Sequence, residues 1–114
     1  MTGTDIVEGA RTYILQDIDT ANRRFTDAES IFWIDLFVKE TVRRKPDSQY
    51  TSSILTTAPA QVTTLTETLP VDDSYLGAAV DYVAFRFFNR DSEDPQNRER
   101  ANHHFTMYVE GLGL

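Results

Sequence analysis

The sequence predicts a mainly α protein: a small four-helix bundle-like domain with an extended Thr-rich hairpin or arm between its second and third helices. Three observations predict it. Apolar residues recur at 3.6-residue spacing over four segments, about 5–19, 27–45, 74–90 and 95–111. Each segment opens on Thr or Asp, residues whose side-chain oxygens accept bonds from the unpaired N–H groups of a helix start. Between the second and third segments, residues 46–70, the period is lost; over 46–71 there are seven Thr and three Ser.

In the first helix, 5–19, Ile6, Ala10, Tyr13, Ile14 and Ile18 fall on one side, and Asp5 or Thr4 can cap it. Asp17 sits on that apolar side near the C-terminal end, where the helix dipole disfavours a negative charge. It is expected to bond to backbone or to an arginine of the next turn. Asp17-x-Asp19 invites a calcium reading, but a calcium loop starting there needs Gly sixth and Glu twelfth, and those positions hold Asn22 and Ala28.

The second helix, 27–45, has the best-marked start: Thr26-Asp27-Ala28-Glu29 is a capping box. Trp33, Ile34, Phe37, Val38, Ile31 and Val42 form its core face. Phe32 and Leu36 point the other way, beside Lys39 and Arg43, as an apolar patch rimmed by charge, which is typical interface material. Arg43-Arg44-Lys45 is the sole basic run, and its position at a helix C-terminus complements the dipole.

The arm, 46–70, reads as two extended pieces, Tyr50–Thr57 and Gln61–Leu69, joined at Ala58-Pro59-Ala60. An isolated hairpin is marginal in water, so outside support is expected, with Ile54, Leu55, Val62 and Leu65 as contacts. The third helix, 74–90, is centred on Leu76, Ala79, Val80, Val83 and Phe87, and Tyr75, Ala84 and Phe88 widen its apolar surface to roughly 220°. Tyr82 and Phe85 lie beyond it and are candidates for contact with another chain. The fourth helix, 95–111, has Asp94 as N-cap, Pro95 first, a narrow stripe of Ala101, Phe105, Tyr108, Val109 and Leu112, and Gly111 as its stop. Leu112 and Leu114 complete the candidate contacts.

The 114 residues suit one domain, 1–114, able to bury about two thirds of its unfolded surface. There are no cysteines, hence no disulfides and no thiol chemistry. Net charge is −7, with −2 in residues 1–57 and −5 in 58–114, against the clustered Lys and Arg that phosphate contacts demand. No run of 18 apolar residues suggests a membrane span, and the N-terminus lacks the order of a signal peptide. His103 and His104 diverge by about 100° on a helix and cannot share one metal. No catalytic, metal or cofactor constellation is found, and no enzymatic activity is expected.

Taken in order, the segments resemble phage adaptor proteins, the head–tail connector subunits of tailed bacteriophages. The resemblance rests on Leu15-Gln16-Asp17-Ile18-Asp19, Arg24-Phe25-Thr26-Asp27-Ala28-Glu29, Lys45-Pro46-Asp47 and Leu69-Pro70. In the second half Arg86, Asp91, Glu93, Asp94, Arg100, Ala101, His104 and Phe105 carry it. It spans roughly residues 10–112. One departure is that longer members carry an additional segment before the third helix. The resemblance implies a structural virion protein: a homo-oligomeric ring, dodecameric in the family, beneath the portal protein. Such a ring extends the DNA channel used in genome packaging and docks the tail or nozzle protein. It implies location in the neck between capsid and tail, assembly in the host cytoplasm, passage of DNA without sequence recognition, and no membrane. A ring requires heterologous contacts, for which Phe32, Leu36, Tyr82 and Phe85 are the candidates. The alternative is a small helical DNA-binding or regulatory protein.

Overall fold

Capping decides where the helices begin. The computed structural model describes residues 1–17, 19, 23–49 and 58–114. The first helix, α1, spans Gly3–Gly9 and continues as a π-helix over Ala10–Leu15. It starts earlier than the periodicity predicts because Thr2, rather than Thr4 or Asp5, is the N-cap. The Asp5 N–H donates to the Thr2 hydroxyl at 3.3 Å and the Thr2 N–H donates to the Asp5 carboxylate at 3.0 Å. It also ends earlier, at Leu15, because Gln16 is left-handed with φ 51° and turns the chain back.

The π stretch re-aims the face. Its wider turns keep residues four apart in line, so Gly3, Val7, Arg11 and Leu15 go inward. Tyr13, expected in the core, is 83% exposed. Arg11 takes its place and is 1% exposed, with its guanidinium 3.8 Å from the Phe25 ring centroid. It donates to Asp17 at 2.7 Å and to the Phe25 carbonyl at 3.1 Å. Asp17 also accepts the Arg24 N–H, 3.1 Å to each carboxylate oxygen. The expectation for Asp17 thus holds for both kinds of partner, although its arginine precedes it in the chain.

Helix α2 spans Asp27–Arg44 behind its capping box and buries Trp33, Ile34, Phe37, Val38 and Val42 as predicted. Buried Asp35 accepts Lys39 Nζ at 2.7 Å and the Val62 N–H at 3.0 Å, which fastens the arm to α2.

The structure describes the second part of the arm, from residue 58 onward. Of the two extended pieces, 50–57 lies outside the described residues, and with it Ile54 and Leu55. The second piece forms no strand among the described residues. Glu67 accepts the Thr63 and Thr64 N–H groups at 2.8 and 3.2 Å and bends the chain. Beyond that bend only isolated bridges form, Thr2 with Thr68 and Gln49 with Val71. The Thr4 N–H donates to the Leu65 carbonyl and the Leu69 N–H to that of Met1, both at 2.9 Å. Val62, Leu69 and Val71 are buried, and Leu65 is half-buried against Gly3. This part of the arm is held by its own chain.

Helix α3, Leu76–Asn89, follows a 3₁₀ turn at Asp73–Tyr75 and lies at the centre of the bundle. Helix α4, Pro95–Gly111, matches its predicted span and pairs antiparallel with α3. Tyr82, expected outside the apolar stripe, is fully buried with its ring 4.9 Å from Tyr108 and 5.7 Å from Phe37. Leu76, expected at the stripe's centre, is 37% exposed. The stripe rotates because α3 is covered on two sides within its own chain: α4 takes the Tyr82 side and α1 the Val80 side. A Cβ on Gly9 would meet Val80 at 2.9 Å, so α1 reaches this position by having glycine there. Gly111 plays the same part for α4, where a Cβ would meet Ala78 at 3.0 Å. The left-handed stop is therefore Gly113, φ +78°, rather than Gly111.

Two predictions follow from the buried polar groups. Asp17→Ala leaves the Arg11 charge buried without its carboxylate and should cost about 3 to 5 kcal/mol in urea unfolding; Arg11→Met with Asp17→Leu should recover most of it. The second concerns alkaline pH. Burial pushes the Tyr108 phenol up to about 12 and raises that of Tyr82 as well. The fold then holds more protons than the unfolded chain above the ordinary phenol value of about 10, so this stability is complete below that pH and declines as pH rises further. Tyr108→Phe should make the alkaline decline shallower in urea titrations. At neutral pH it should cost about 1 kcal/mol, since Tyr108 and buried Thr41 share a 2.8 Å hydrogen bond.

Candidate interaction surface

The candidate contacts separate by burial. Phe32 is 60% and Leu114 56% exposed. Leu36 and Phe85 are half-buried, while Val62, Tyr82 and Leu112 are core residues and Leu65 lies against α1. Leu112 goes inward because α4 continues one residue past Gly111 in helical conformation, and the Leu112 carbonyl is held by Lys45 Nζ at 2.6 Å. As outward contact residues, Val62, Tyr82 and Leu112 are therefore corrected.

What the fold brings together is a groove between α2 and α3 of about 290 Å³, lined by Leu36, Lys39, Glu40, Arg43, Tyr82 and Arg86. Spacing on α2 builds one wall, since 36, 39, 40 and 43 share a face and Phe32 extends it by a turn. Tyr82 and Arg86, one turn apart on α3, build the other. Arg86 donates to the Tyr82 hydroxyl through Nε at 3.2 Å and Nη2 at 2.9 Å, and its guanidinium lies 5.1 Å from the Phe85 ring centroid. Phe85 packs against Phe105, with ring centroids 5.0 Å apart. Arg86 had no place among the sequence-predicted contacts. Its four-residue spacing from Tyr82 was the available signal.

The basic run is mostly engaged in the fold. Arg44 pairs with Glu40 at 3.3 Å and lies over the Phe105 ring, Lys45 holds the end of α4, and Arg43 alone projects, 71% exposed and 3.7 Å from Glu40. The histidines divide as their wheel positions suggest. His104 meets Asp81 at 2.9 Å and stacks on Phe88, with ring planes 9° apart, whereas His103 faces solvent beside Gln96, Glu99 and Arg100. No group of three His, Asp or Glu side chains among the described residues could hold a metal ion. Among the described residues no helix is long and apolar enough to cross a membrane.

A second cluster joins distant parts of the chain. Arg90, at the end of α3, donates to Glu29 at 2.7 Å and to the Arg24 carbonyl at 2.9 Å. The bond from Arg90 holds the Glu29 carboxyl below its ordinary range, with help from the Thr26 N–H. Phe87 packs at 5.7 Å on Phe25, whose other side meets Trp33 at 5.2 Å. The chain matches no family model, no curated protein and no solved structure.

Because Phe32 contributes little to the core, Phe32→Asp should shift unfolding free energy by no more than about 0.5 kcal/mol. Tyr82→Asp should cost at least about 3 kcal/mol, since it cavitates the core and buries a charge. Urea melts followed by circular dichroism check both, and equal losses would show Phe32 to be a core residue.

Proposed function

We propose that this chain is a structural subunit of a tailed-phage neck, an adaptor that assembles as a ring beneath the portal, extends the DNA channel and docks the tail or nozzle protein. One observation carries the reading. The segments that resemble the adaptor family lie in opposite halves of the chain, yet residues within and beside them tie these segments together. The Arg24–Glu29 motif and the aromatic helix are tied by Arg90, and the Leu15–Asp19 motif is tied to both Arg11 and Arg24. Residues placed this way hold a scaffold together, as a subunit without turnover requires. His104, another of the family-like residues, likewise fixes α4 to α3 through Asp81. The exposed Phe32 beside a groove supports contact with neighbours. The proposed setting is the virion neck after assembly in the host cytoplasm, with DNA passing a net-negative wall that does not grip it. Engagement of the basic run in helix ends gives the DNA-reading alternative no added support.

Native mass spectrometry of the chain, alone and mixed with portal rings, at several salt concentrations tests the proposal. A stoichiometric ring on the portal is expected, with lower occupancy for Phe32→Asp. A monomer that ignores the portal and binds duplex DNA with steep salt dependence would sink it in favour of the DNA-binding reading.

A further inference from the structure

We propose that the α2–α3 groove receives the acidic turn Asp91–Asp94 of a second copy of this chain. The proposal rests on the ring reading above and names the contact that would make the ring.

Charge selects the groove. On a chain of net charge −7, it gathers Lys39, Arg43 and Arg86 around a single rim carboxylate, Glu40. Glu40 is already shared between Arg43 and Arg44. Asp35 pairs with Lys39 at 2.7 Å and takes the Val62 N–H as well, so Arg86 and the exposed Arg43 are the cations the groove chiefly offers. Arg86 is held by a neutral acceptor, the Tyr82 hydroxyl, and over an aromatic ring, and it pairs with no carboxylate among the described residues. A guanidinium positioned in this way is ready to bind a carboxylate, because the entropy of ordering it is lost in folding rather than at contact.

Charge also selects the occupant. Asp91, Glu93 and Asp94 stand within four positions, all exposed. Asp94 caps α4 through the Gln96 N–H, whereas Asp91 and Glu93 pair with no cation among the described residues. Several other surface carboxylates have work inside the chain: Asp5 caps α1, Glu67 holds Thr63 and Thr64, and Asp72 holds the Ser74 N–H, while the exposed Asp27, Asp47, Glu99 and Glu110 form no comparable cluster.

Within one chain the turn stays out of this groove. It follows Arg90, whose guanidinium is fixed to Glu29 and the Arg24 carbonyl, and neither Asp91 nor Glu93 pairs with Lys39, Arg43 or Arg86 among the described residues. Two different patches of one chain that complement each other only between copies make a heterologous contact, which closes into a ring when the rotation allows. Phe32 and Leu36, at the apolar end of the groove, would be covered as the turn seats.

Zero-length carbodiimide cross-linking of an equal mixture of unlabelled and heavy-nitrogen-labelled chain, free at high concentration and bound to portal rings, tests this. The chain has two lysines, Lys39 and Lys45, so the result is easily read. Mixed-isotope links from Lys39 to Asp91 or Glu93 are expected. Arg86→Glu should weaken association about tenfold or more, and Asp91→Lys with Glu93→Lys should do the same. Combining the reversals should restore it. Arg43→Glu, on an exposed side chain, gives the same readout if Arg86→Glu fails to fold. Assembly that ignores these reversals and cross-links elsewhere overturns the groove contact while leaving the ring intact. Absence of assembly both alone and on the portal overturns both. Salt-sensitive DNA binding that Arg43→Glu abolishes, without links between copies, would assign the groove to phosphate and overturn the proposal.

Discussion

The buried ion pair between Arg11 and Asp17 is the interaction on which the rest of this small bundle depends. Two charges withdrawn from water are tolerated only when their remaining bonding capacity is used. Here the Phe25 carbonyl, the Phe25 ring and the Arg24 N–H supply most of it. To reach that geometry the first helix widens into a π turn and ends on a left-handed Gln16, at a backbone cost that packing must offset. Phe25 is thereby held at the threshold of α2, where Thr26 and Glu29 cap the helix. Arg90 then carries the restraint to the end of α3. One cluster thus sets how three helices meet.

The second organising constraint is crowding around α3. Its broad apolar surface fits either a helix central to the bundle or a face shared with another chain, and it is central: α1 and α4 cover it from two sides, at close approaches that Gly9 and Gly111 permit. The aromatic rings of Phe37, Tyr82 and Tyr108 fill the space between α2, α3 and α4 in tilted and edge-on contacts. Beside the groove, what α3 leaves at the surface is smaller and more polar than its wheel implied: Arg86 and the edge of Phe85, opposite Leu36 and Phe32, with Leu76 exposed at the helix's other end. The proposed contact surface is therefore a charged groove with an apolar end. Such a surface favours orientation and specificity over bulk adhesion.

Legibility followed the range of the forces. Capping boxes are local, so the starts of α2 and α4 and the roles of Thr26, Glu29 and Asp94 could be read directly. Phe32 was also legible, because a helix wheel separates it from Trp33 and Phe37 without knowledge of any neighbour. Tyr82 was misread because its burial depends on Tyr108 and Phe37, which approach from other helices. Arg11 and Tyr13 exchanged places because the wheel assumes 3.6 residues per turn and the π stretch does not keep that period. The second piece of the arm has a strand's alternation, but Glu67 and Asp35 take the Thr63, Thr64 and Val62 N–H groups that a ladder would need.

By itself, then, the sequence determined a four-helix protein with its breaks, the N-caps of α2 and α4 and most of its core faces, since those arise from contacts within one or two helical turns. Tertiary structure alone decided where Asp17 finds its charge partner, which side of α3 is covered, and that Lys39, Arg43 and Arg86 converge on one groove. The last two outcomes depend on residues dozens of positions apart, and the first on a π turn and a left-handed Gln16 that bring Arg11 back to Asp17. Their meeting is set by close packing and by the need to pair buried charge, which no helical period encodes.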